Sequence, residues 1–380
     1  MQQMAKVIFC VQQLFELGGT ETVTIDLANR LAEKGHDVEV ISFVETKSRP
    51  SVYSFSKKVK VSSLGLPFDV LRFDNVAPNL LKKGRVFSFI GYGIKLLHHT
   101  FWKAPIHRKQ LYEKIQDGGT LVGTSLESYR FAPKKGRVIH EFHFGFDEFK
   151  KPFFRFLLWG MRKPEKWIFL SESILKQVQE RYPKLADKST YIHNPIRFES
   201  ELHLEPHGNN ILFLGRYMPQ KNPLLALQAA KVLRSQGFPF HLSMFGTGHL
   251  LPEMKNYVKR WDLTSCVSIG EPALDVKGAV LKSDLLLLTS EYEGWPLIVG
   301  EANALSRPAI SSDFGPNAHE MITDGESGFI VSSKRPEDFA EAIKKALGNP
   351  EALVAMKQKA YERSLLYAED AILAKWEEIL

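Results

Sequence analysis

The chain has 380 residues, which is too long for one hydrophobic core and predicts two domains of about 150–200 residues. Hydrophobic residues make up 44% and charged residues 24%, as in globular proteins, and the two distant cysteines, Cys10 and Cys266, argue against a disulfide framework and for a reducing cytoplasm. The net charge of +7 favours an anionic partner: nucleic acid, anionic lipid or a phosphorylated substrate. We expect no signal peptide, because the run VIFCV is too short, and no transmembrane helix, because no uncharged stretch reaches about 18 residues.

The chain begins with a predicted β-α-β unit. KVIFCVQ (6–12) is typical of a strand, a helix capped by Thr20 follows Gly18 and Gly19 and ends at Gly35, and HDVEVISF (36–43) is a second strand. A glycine loop that opens a helix in this way begins doubly wound nucleotide-binding folds. The loop is not GxGxxG and lacks an acidic residue placed for a ribose, so it does not predict nicotinamide binding. It either contacts phosphate or acceptor, or it is a tight turn that only needs small residues.

Two basic, aromatic stretches follow, at 82–114 and 134–167, with strands predicted at 58–66 and 119–125. In the second stretch, bulky aromatic residues are interleaved with cations: Phe149, Phe153, Phe154, Phe156 and Trp159 with Lys150, Lys151, Arg155, Arg162 and Lys163. Such a composition suits a helix at the surface of an anionic membrane. It also arises when the aromatic residues face a core and the cations face water. No nucleic-acid-binding motif occurs, so we do not expect nucleic acid as a partner.

The second stretch also contains two histidines, His140 and His143, which lie three residues apart. They do not form an HExxH pair and no third ligand is evident, so they do not predict a zinc site. A histidine just past the carboxyl end of a strand lies where sheets of this kind bind ligands. A purely structural histidine is the alternative.

A polar segment without periodicity, RFESELHLEPHGNN (197–210), follows the strand WIFLSE (167–172) and is the best candidate for an interdomain linker. Strands and helices alternate after it. Strands are predicted at 210–217, 266–271, 283–290 and 325–331, a strand followed by a glycine turn at 240–248, and a strand and turn at 307–316. Helices are predicted at 223–237, 252–263, 275–283, 336–349 and 350–380. This alternation predicts a second parallel-sheet domain of the same class as the first.

The stretch SEYEGWPLIVGEANA (290–304) is the best candidate for a ligand site. Glu293 lies in a predicted strand-to-helix turn, Pro296 lies where the helix would begin, and Glu301 lies about 8 Å further along that helix. The amide-rich start of a helix attracts phosphate, and each carboxylate can accept hydrogen bonds from sugar hydroxyls. The arrangement suits a nucleotide sugar. Alternatively, both residues are solvated glutamates of a first helical turn.

Taken together, the motifs resemble glycosyltransferase family 4, retaining enzymes that use nucleotide sugars and have the GT-B fold of two Rossmann-like parallel-sheet domains facing each other across a cleft. The matching segments are GGTE (18–21), EFHFGF (141–146), GRYMPQKN (215–222), FGTG (245–248), EGWPLIVGEA (293–302) and SSDFGPNAHEMITDGESGFIV (311–331). The resemblance implies an acceptor-binding domain at 1–196, a linker at 197–209, a nucleotide-sugar-binding domain at 210–360, and a helix at 361–380 that crosses back to the first domain.

The resemblance also implies roles for individual residues. Arg216 and Lys221 would hold the donor diphosphate, and Glu301 would accept bonds from the ribose. Glu293 would bind the donor sugar near its anomeric carbon, while His143 rather than His140 would contact that sugar or the charge that develops on it. The catalytic residues implied are thus Glu293, His143, Arg216 and Lys221. The further donor-binding residues implied are Gly19, Gly294, Trp295, Pro296, Leu297, Gly270 and Glu271.

The expected activity is hexosyl transfer from a nucleotide sugar, most simply a UDP-hexose, to a lipid-linked saccharide in bacterial polysaccharide or lipopolysaccharide synthesis. The enzyme would be cytoplasmic or peripheral at the inner face of the membrane. No Asp-x-Asp occurs, so we expect neither a metal nor another cofactor. FGPNAHEMI (314–322) departs from the family's usual run there. Two rival functions remain open: a nucleotide-sugar hydrolase or epimerase on the same fold, and a non-catalytic protein that binds nucleotide sugar or membrane.

Overall fold

The computed structural model describes residues 4–16, 18–45, 51–66, 86–98, 103–143, 145 and 165–380. The chain divides into two compact units, Met1–Ile192 with Leu373–Leu380 and His193–Ile372. The aromatic residues predicted to contact a membrane at 149–159 lie outside the described residues.

The first unit contains a sheet of seven parallel strands. Its strands are β1 (Lys6–Val11), β2 (Asp37–Val44), β3 (Lys60–Leu66), β4 (Thr120–Gly123), β5 (Arg137–Phe142), β6 (Lys166–Phe169) and β7 (Ser189–Tyr191), in the order β3-β2-β1-β4-β5-β6-β7. Among its described residues, the helices are α1 (Gly19–Glu33), α2 (Val86–His98), α3 (Ala104–Ile115), α4 (Leu126–Phe131) and α5 (Glu172–Arg181), with a 3-10 helix at Pro183–Lys188. The strand order reverses between β1 and β4: β2 and β3 follow on one side of β1, and β5 to β7 follow on the far side of β4. In open α/β sheets, such a switch point is where ligands commonly bind.

Helix α1 begins one residue before the predicted cap. Gly18 is the N-cap in an extended conformation, and Gly19 is the first helical residue, so Thr20 lies inside the helix. The helix ends at Glu33, and Gly35 has a positive φ of 102°, which lets the chain turn into β2.

The last residues of the chain pack in the first unit. Trp376, near the end of α13 (Glu369–Glu377), is 1% exposed and meets the Phe9 ring edge-on at 6.3 Å. Glu377 accepts from Lys34 Nζ at 3.3 Å, and the Arg137 guanidinium donates to the Ile379 carbonyl at 2.7 Å and to the Leu380 carbonyl. These contacts bring a segment distant in sequence onto β1 and β5.

The second unit contains a sheet of six parallel strands. They are β8 (Asn210–Leu214), β9 (His241–Phe245), β10 (Val267–Gly270), β11 (Leu285–Leu288), β12 (Ala309–Ser312) and β13 (Gly328–Val331), in the order β10-β9-β8-β11-β12-β13. The helices are α6 (Pro223–Ser235), α7 (Leu251–Arg260), α8 (Val276–Leu281), α9 (Leu297–Ala304), α10 (Pro316–Met321), α11 (Pro336–Leu347) and α12 (Pro350–Ser364), followed by a 3-10 turn at Leu365–Tyr367. The predicted class, two parallel-sheet α/β domains, is confirmed.

The segment predicted as a linker, 197–209, belongs to the second unit and is bonded to it. Lys357 Nζ, which is fully buried, donates to the Glu205 carbonyl at 2.7 Å and to Asp284 Oδ1 at 3.0 Å. Burial of Asp284 opposes its ionisation, but donation from the main-chain amides of Asn210 and His207 and from Lys357 holds its pKa below the usual value. Hydrogen bonds, rather than an apolar face, attach this segment to the second unit, which is why its sequence shows no hydrophobic periodicity.

Candidate active site

The candidate site lies at the carboxyl ends of β8 and β11. These neighbouring strands pair in parallel, with Leu285 opposite Ile211 and Leu286 opposite Leu212. The next strands lie on opposite sides, β9 beside β8 and β12 beside β11. The loop at 215–222 and the turn at 289–296 therefore leave the sheet at its switch point, where open α/β sheets bind ligands.

The loop and the turn are bonded to each other along their length. Thr289 Oγ1 donates to the carbonyls of Lys221 at 3.1 Å and Asn222 at 2.8 Å. The Gln220 carbonyl accepts from the Glu291 amide at 2.8 Å, and the Gln220 side chain donates to the Tyr292 carbonyl at 3.2 Å. The loop that carries the predicted cations is thus fixed to the turn that carries the predicted carboxylate.

Lys221 and Glu293 form an ion pair. Their Nζ and Oε1 atoms are 2.5 Å apart, and Ser290 Oγ donates to the same Oε1 at 2.6 Å. Glu293 is 8% exposed, and these two partners supply hydrogen bonds in place of the water that burial removes. The Asn317 amide donates to the Glu293 carbonyl at 3.1 Å and to the Gly294 carbonyl, which holds the main chain of the turn.

Arg216 lies at the start of the same loop and its side chain is exposed. Its guanidinium donates to Gln220 Oε1 at 3.1 Å, so Gln220 links Arg216 to the turn. Two cations and one carboxylate, Arg216, Lys221 and Glu293, are therefore brought together around the ends of two adjacent strands.

Glu301 lies inside α9, as predicted, and is 2% exposed. Its Oε1 is 2.5 Å from both Nε and Nη2 of Arg197. The helix begins at Leu297 with Pro296 as its N-cap, one residue later than the sequence indicates. Neither Arg197 nor its pairing with Glu301 was expected.

Trp295, predicted to contact the donor, is 7% exposed and packs inside the second unit. Its ring stacks on His193 at 4.5 Å between centroids and an interplanar angle of 23°, and it meets Tyr367 at 5.3 Å. The Tyr367 hydroxyl donates to the Glu320 carbonyl. These contacts cover most of the Trp295 ring.

Gly270 and Glu271 lie at the carboxyl end of β10, on the same edge of the sheet. The Tyr217 hydroxyl donates to the Gly270 carbonyl at 3.0 Å, and burial, with the charge of Glu271, raises the pKa of Tyr217. The loops after β8 and β9 approach closely, because a Cβ on Gly246 would lie 1.9 Å from the Gly215 carbonyl oxygen. Glycine is required at 246 for this approach.

The remaining predicted residues, Gly19 and His143, belong to the first unit. The Gly18 amide donates to the Tyr53 hydroxyl at 2.7 Å, and that hydroxyl donates to the Glu16 carbonyl at 2.9 Å. Burial raises the pKa of Tyr53 to about 12, so it is a neutral donor at physiological pH. His143 Nε2 lies 3.0 Å from Glu141 Oε2, and both side chains are 3% exposed.

Several partners of the predicted residues were not identified from the sequence: Ser290, Asn317, Gln220, Arg197, Tyr53 and Glu141. Ser290, Gln220, Asn317 and Glu141 lie in segments already marked from the sequence, whereas Arg197 and Tyr53 do not match any motif. In the described part of the chain, no three acidic, histidine or cysteine side chains are grouped so as to hold a metal ion. Nor does any helix described there have the length and apolarity to cross a membrane.

Comparison with known sequences identifies relatives of this chain. The model of the family "Glycosyl transferases group 1" matches residues 197–363, which span most of the second unit. An uncharacterized glycosyltransferase of Haemophilus influenzae is 24% identical over 99% of this chain and 100% of its own length. The amylovoran biosynthesis glycosyltransferase AmsD of Erwinia amylovora is 23% identical over 99% of this chain and 100% of its own length. An N-acetylgalactosaminyltransferase of Campylobacter jejuni, named for a diphosphoundecaprenol-linked substrate, is 23% identical over 99% of this chain and 98% of its own length.

Solved structures share the fold over 98% of this chain's length. A complex of the S. aureus protein TarM with fondaparinux, α-GlcNAc-glycerol and UDP superposes with a TM-score of 0.77 at 13% identity, covering 98% of this chain and 99% of that one. The lipopolysaccharide outer core galactosyltransferase WaaB superposes with a TM-score of 0.71 at 16% identity, covering 98% of each chain. The fold is therefore GT-B, and the second unit is similar to the group 1 glycosyltransferases, whose family model matches most of it.

Proposed function

We propose that this enzyme transfers a hexose from a UDP-hexose, with retention at the anomeric carbon, to a lipid-linked saccharide in bacterial polysaccharide or lipopolysaccharide synthesis. The observation that carries the proposal is the Lys221–Glu293 ion pair beside Arg216, at the ends of β8 and β11. A cation pair at this point suits a diphosphate, and a buried carboxylate suits the hydroxyls of the attached sugar.

The cations would act on the leaving group. When the glycosidic bond breaks, negative charge develops on the nucleoside diphosphate, and preorganised cations lower the barrier by stabilising that charge. Arg216 and Lys221 are held before the substrate arrives, by Gln220 and by the bonds from Thr289. They supply this stabilisation without a bound metal, so we propose that the reaction needs none.

Retention by double displacement would require a nucleophile on the face of the sugar opposite the leaving group. We propose instead that the acceptor approaches on the face from which the diphosphate leaves, and that a diphosphate oxygen takes the acceptor's proton. Glu293 would then orient the sugar through its hydroxyls rather than form a covalent intermediate.

The donor and acceptor classes rest on the relatives. The structure of TarM contains UDP, and AmsD and WaaB are named for amylovoran biosynthesis and for the lipopolysaccharide outer core. The Campylobacter jejuni enzyme is named for a saccharide on a polyprenyl diphosphate. These names support a UDP-sugar, a bacterial surface saccharide and a lipid-linked acceptor.

A donor screen tests the proposed activity. The full chain is incubated with individual UDP-sugars in EDTA, with and without lipid-linked saccharide acceptors, and release of UDP is measured. We expect one UDP-hexose to release UDP at least about tenfold faster when its acceptor is present, because a transferase needs the acceptor's hydroxyl.

Other results of this screen would contradict specific parts of the proposal. Release that is equally fast without acceptor would indicate a hydrolase. Loss of turnover in EDTA, with recovery in manganese, would overturn the metal-independent mechanism. Binding of UDP without turnover of any donor would favour a non-catalytic protein.

We also propose contact with an anionic membrane through α2. Phe87, Ile90 and Ile94 lie at helical spacing on one face of this helix and are 89%, 51% and 63% exposed. Residues 82–114 contain eight basic residues and one acidic residue, a net charge of +7 that equals the net charge of the whole chain. An exposed apolar stripe in a strongly basic segment suits a bilayer of anionic lipid.

Vesicle sedimentation tests the membrane contact. We expect the chain to sediment with phosphatidylglycerol-containing vesicles and not with pure phosphatidylcholine. Replacing Phe87 and Ile94 by Ser should lower the bound fraction at least about tenfold, since two apolar side chains no longer enter the interface. The matched control is Leu366→Ser, which removes an apolar side chain that is 59% exposed in the second unit. Equal partitioning to both vesicle types would contradict the contact.

A further inference from the structure

The segment 196–201 runs along the flank of α9 and is fixed to the second unit. The Ile196 amide donates to the Tyr367 carbonyl at 3.3 Å, and the Glu201 amide donates to the Ala304 carbonyl at 2.7 Å. A Cβ on Gly300 would lie 3.2 Å from Ile196 Cγ1, so the segment and the helix are in close contact. The main chain on both sides of Arg197 is therefore held in place.

Arg197 directs two donors at one oxygen of Glu301. Both Nε and Nη2 lie 2.5 Å from Oε1, while the Glu301 side chain is 3% exposed and the Arg197 side chain is 32% exposed. A carboxylate this deeply buried retains its charge and its direction only with a partner of opposite charge. Two nitrogens of a cation at one oxygen hold that oxygen in place more firmly than a single neutral donor would.

From this geometry we infer that Arg197 is a positioning residue for ribose recognition, and that it makes the enzyme select ribonucleotide donors over 2′-deoxyribonucleotide donors. This inference rests on the proposed function, in which Glu301 accepts hydrogen bonds from the ribose hydroxyls. Arg197 acts through Glu301, by holding the carboxylate in the direction from which it accepts those bonds.

The selectivity follows from the burial of the pair. A site that is built to accept a hydrogen bond from a hydroxyl rejects an analogue without it, because the buried acceptor is then left unpaired. If the carboxylate is free to turn, it can find another partner and the penalty for the missing hydroxyl disappears. Removing Arg197 should therefore erase the preference for ribose rather than all binding of nucleotide.

The experiment compares the binding of UDP and 2′-deoxy-UDP to the full chain by calorimetry. We expect the unaltered chain to bind UDP at least about tenfold more tightly than 2′-deoxy-UDP, as befits a bond to a charged acceptor. Arg197→Ala should bring the two affinities within about threefold of each other, through weaker binding of UDP alone. Arg197→Lys, which keeps the charge but not the second nitrogen, should restore part of the difference.

Two further variants separate positioning from general damage. Arg234, near the end of α6, forms an ion pair of the same 2.5 Å length with Asp262. Arg234→Ala removes that pair and should leave the preference for UDP over 2′-deoxy-UDP unchanged. Glu301→Gln should lower the preference by itself, and adding Arg197→Ala to it should change the ratio no further. A mere loss of fold would lower both affinities together.

The outcomes distinguish this inference from the proposed function. If the unaltered chain binds neither nucleotide, the proposed function is wrong. If it binds both equally, or if Arg197→Ala and Arg197→Lys keep the full preference for UDP, the role of Arg197 is overturned while donor binding stands.

Discussion

Replacing Glu293 by Ala is expected to abolish measurable transfer, lowering kcat by at least about 1000-fold. The side chain that would hold the donor sugar near its anomeric carbon is lost, and so is the counter-charge of Lys221. UDP affinity should stay the same or rise, because the Lys221 ammonium no longer has a carboxylate 2.5 Å away and is free to bind phosphate. Loss of kcat without loss of UDP affinity identifies an interaction made in the transition state.

Steady-state transfer and calorimetry with UDP measure the two effects separately. Glu293→Gln keeps the shape of the side chain and its acceptor oxygen for Ser290, so it tests charge alone. The matched control is Glu291→Ala, since Glu291 lies two residues earlier and is also bonded, to Asn222 at 2.8 Å and to Lys334. Full turnover in Glu293→Ala would refute the role of Glu293, and turnover lost equally in Glu291→Ala would show that the variants only disturb the turn.

The architecture of the second unit was predictable because local patterns and tertiary packing agree there. LLLL at 285–288 is fully buried, as expected of a parallel strand covered on both faces, and the helix after it contains Glu301. The start of that helix was misplaced by one residue. Pro296 has the extended backbone of an N-cap, with ψ of 102°, instead of the helical backbone that proline often adopts at the first position.

The partners of the site residues could not be predicted, because they depend on tertiary contact. Ser290 is an ordinary serine in the sequence, yet its hydroxyl lies 2.6 Å from Glu293. Arg197 and Glu301 are 104 residues apart, and only the path of the segment along α9 brings them together. Patterns in one sequence report which face of an element is apolar, but they do not report which distant polar side chain meets it.

The burial of Trp295 shows the same limit. An aromatic residue beside a predicted ligand turn suggests a ring in contact with the substrate. The ring instead packs on His193 and Tyr367, which lie at opposite ends of the second unit's sequence. A contribution of Trp295 to donor binding would therefore come through the shape of the turn.

Replacing both Arg216 and Lys221 by Ala is expected to weaken UDP binding by about 100-fold to 10,000-fold, since each charge-assisted bond to phosphate contributes about 1.5–3 kcal/mol. The affinity for uridine, which has no phosphate, should change by less than about threefold. Calorimetry with both ligands measures this contrast. The matched control is Arg234→Ala with Lys344→Ala, which removes the same charge from surface ion pairs with Asp262 and Glu341. An unaltered UDP dissociation constant would refute the assignment of the diphosphate to these cations.

The two single variants should differ, because their surroundings differ. Arg216 is exposed and bonded to the neutral Gln220, so its removal takes away one cation and leaves the turn intact. Removal of Lys221 also leaves Glu293, 8% exposed, with only the Ser290 hydroxyl, and an uncompensated carboxylate then repels the diphosphate. Lys221→Ala should therefore weaken UDP binding more than Arg216→Ala does. Adding Glu293→Gln to Lys221→Ala should recover part of the lost UDP affinity, because the repelling carboxylate is then gone. If Lys221 served only to hold the fold of the loop, the second change would bring no recovery.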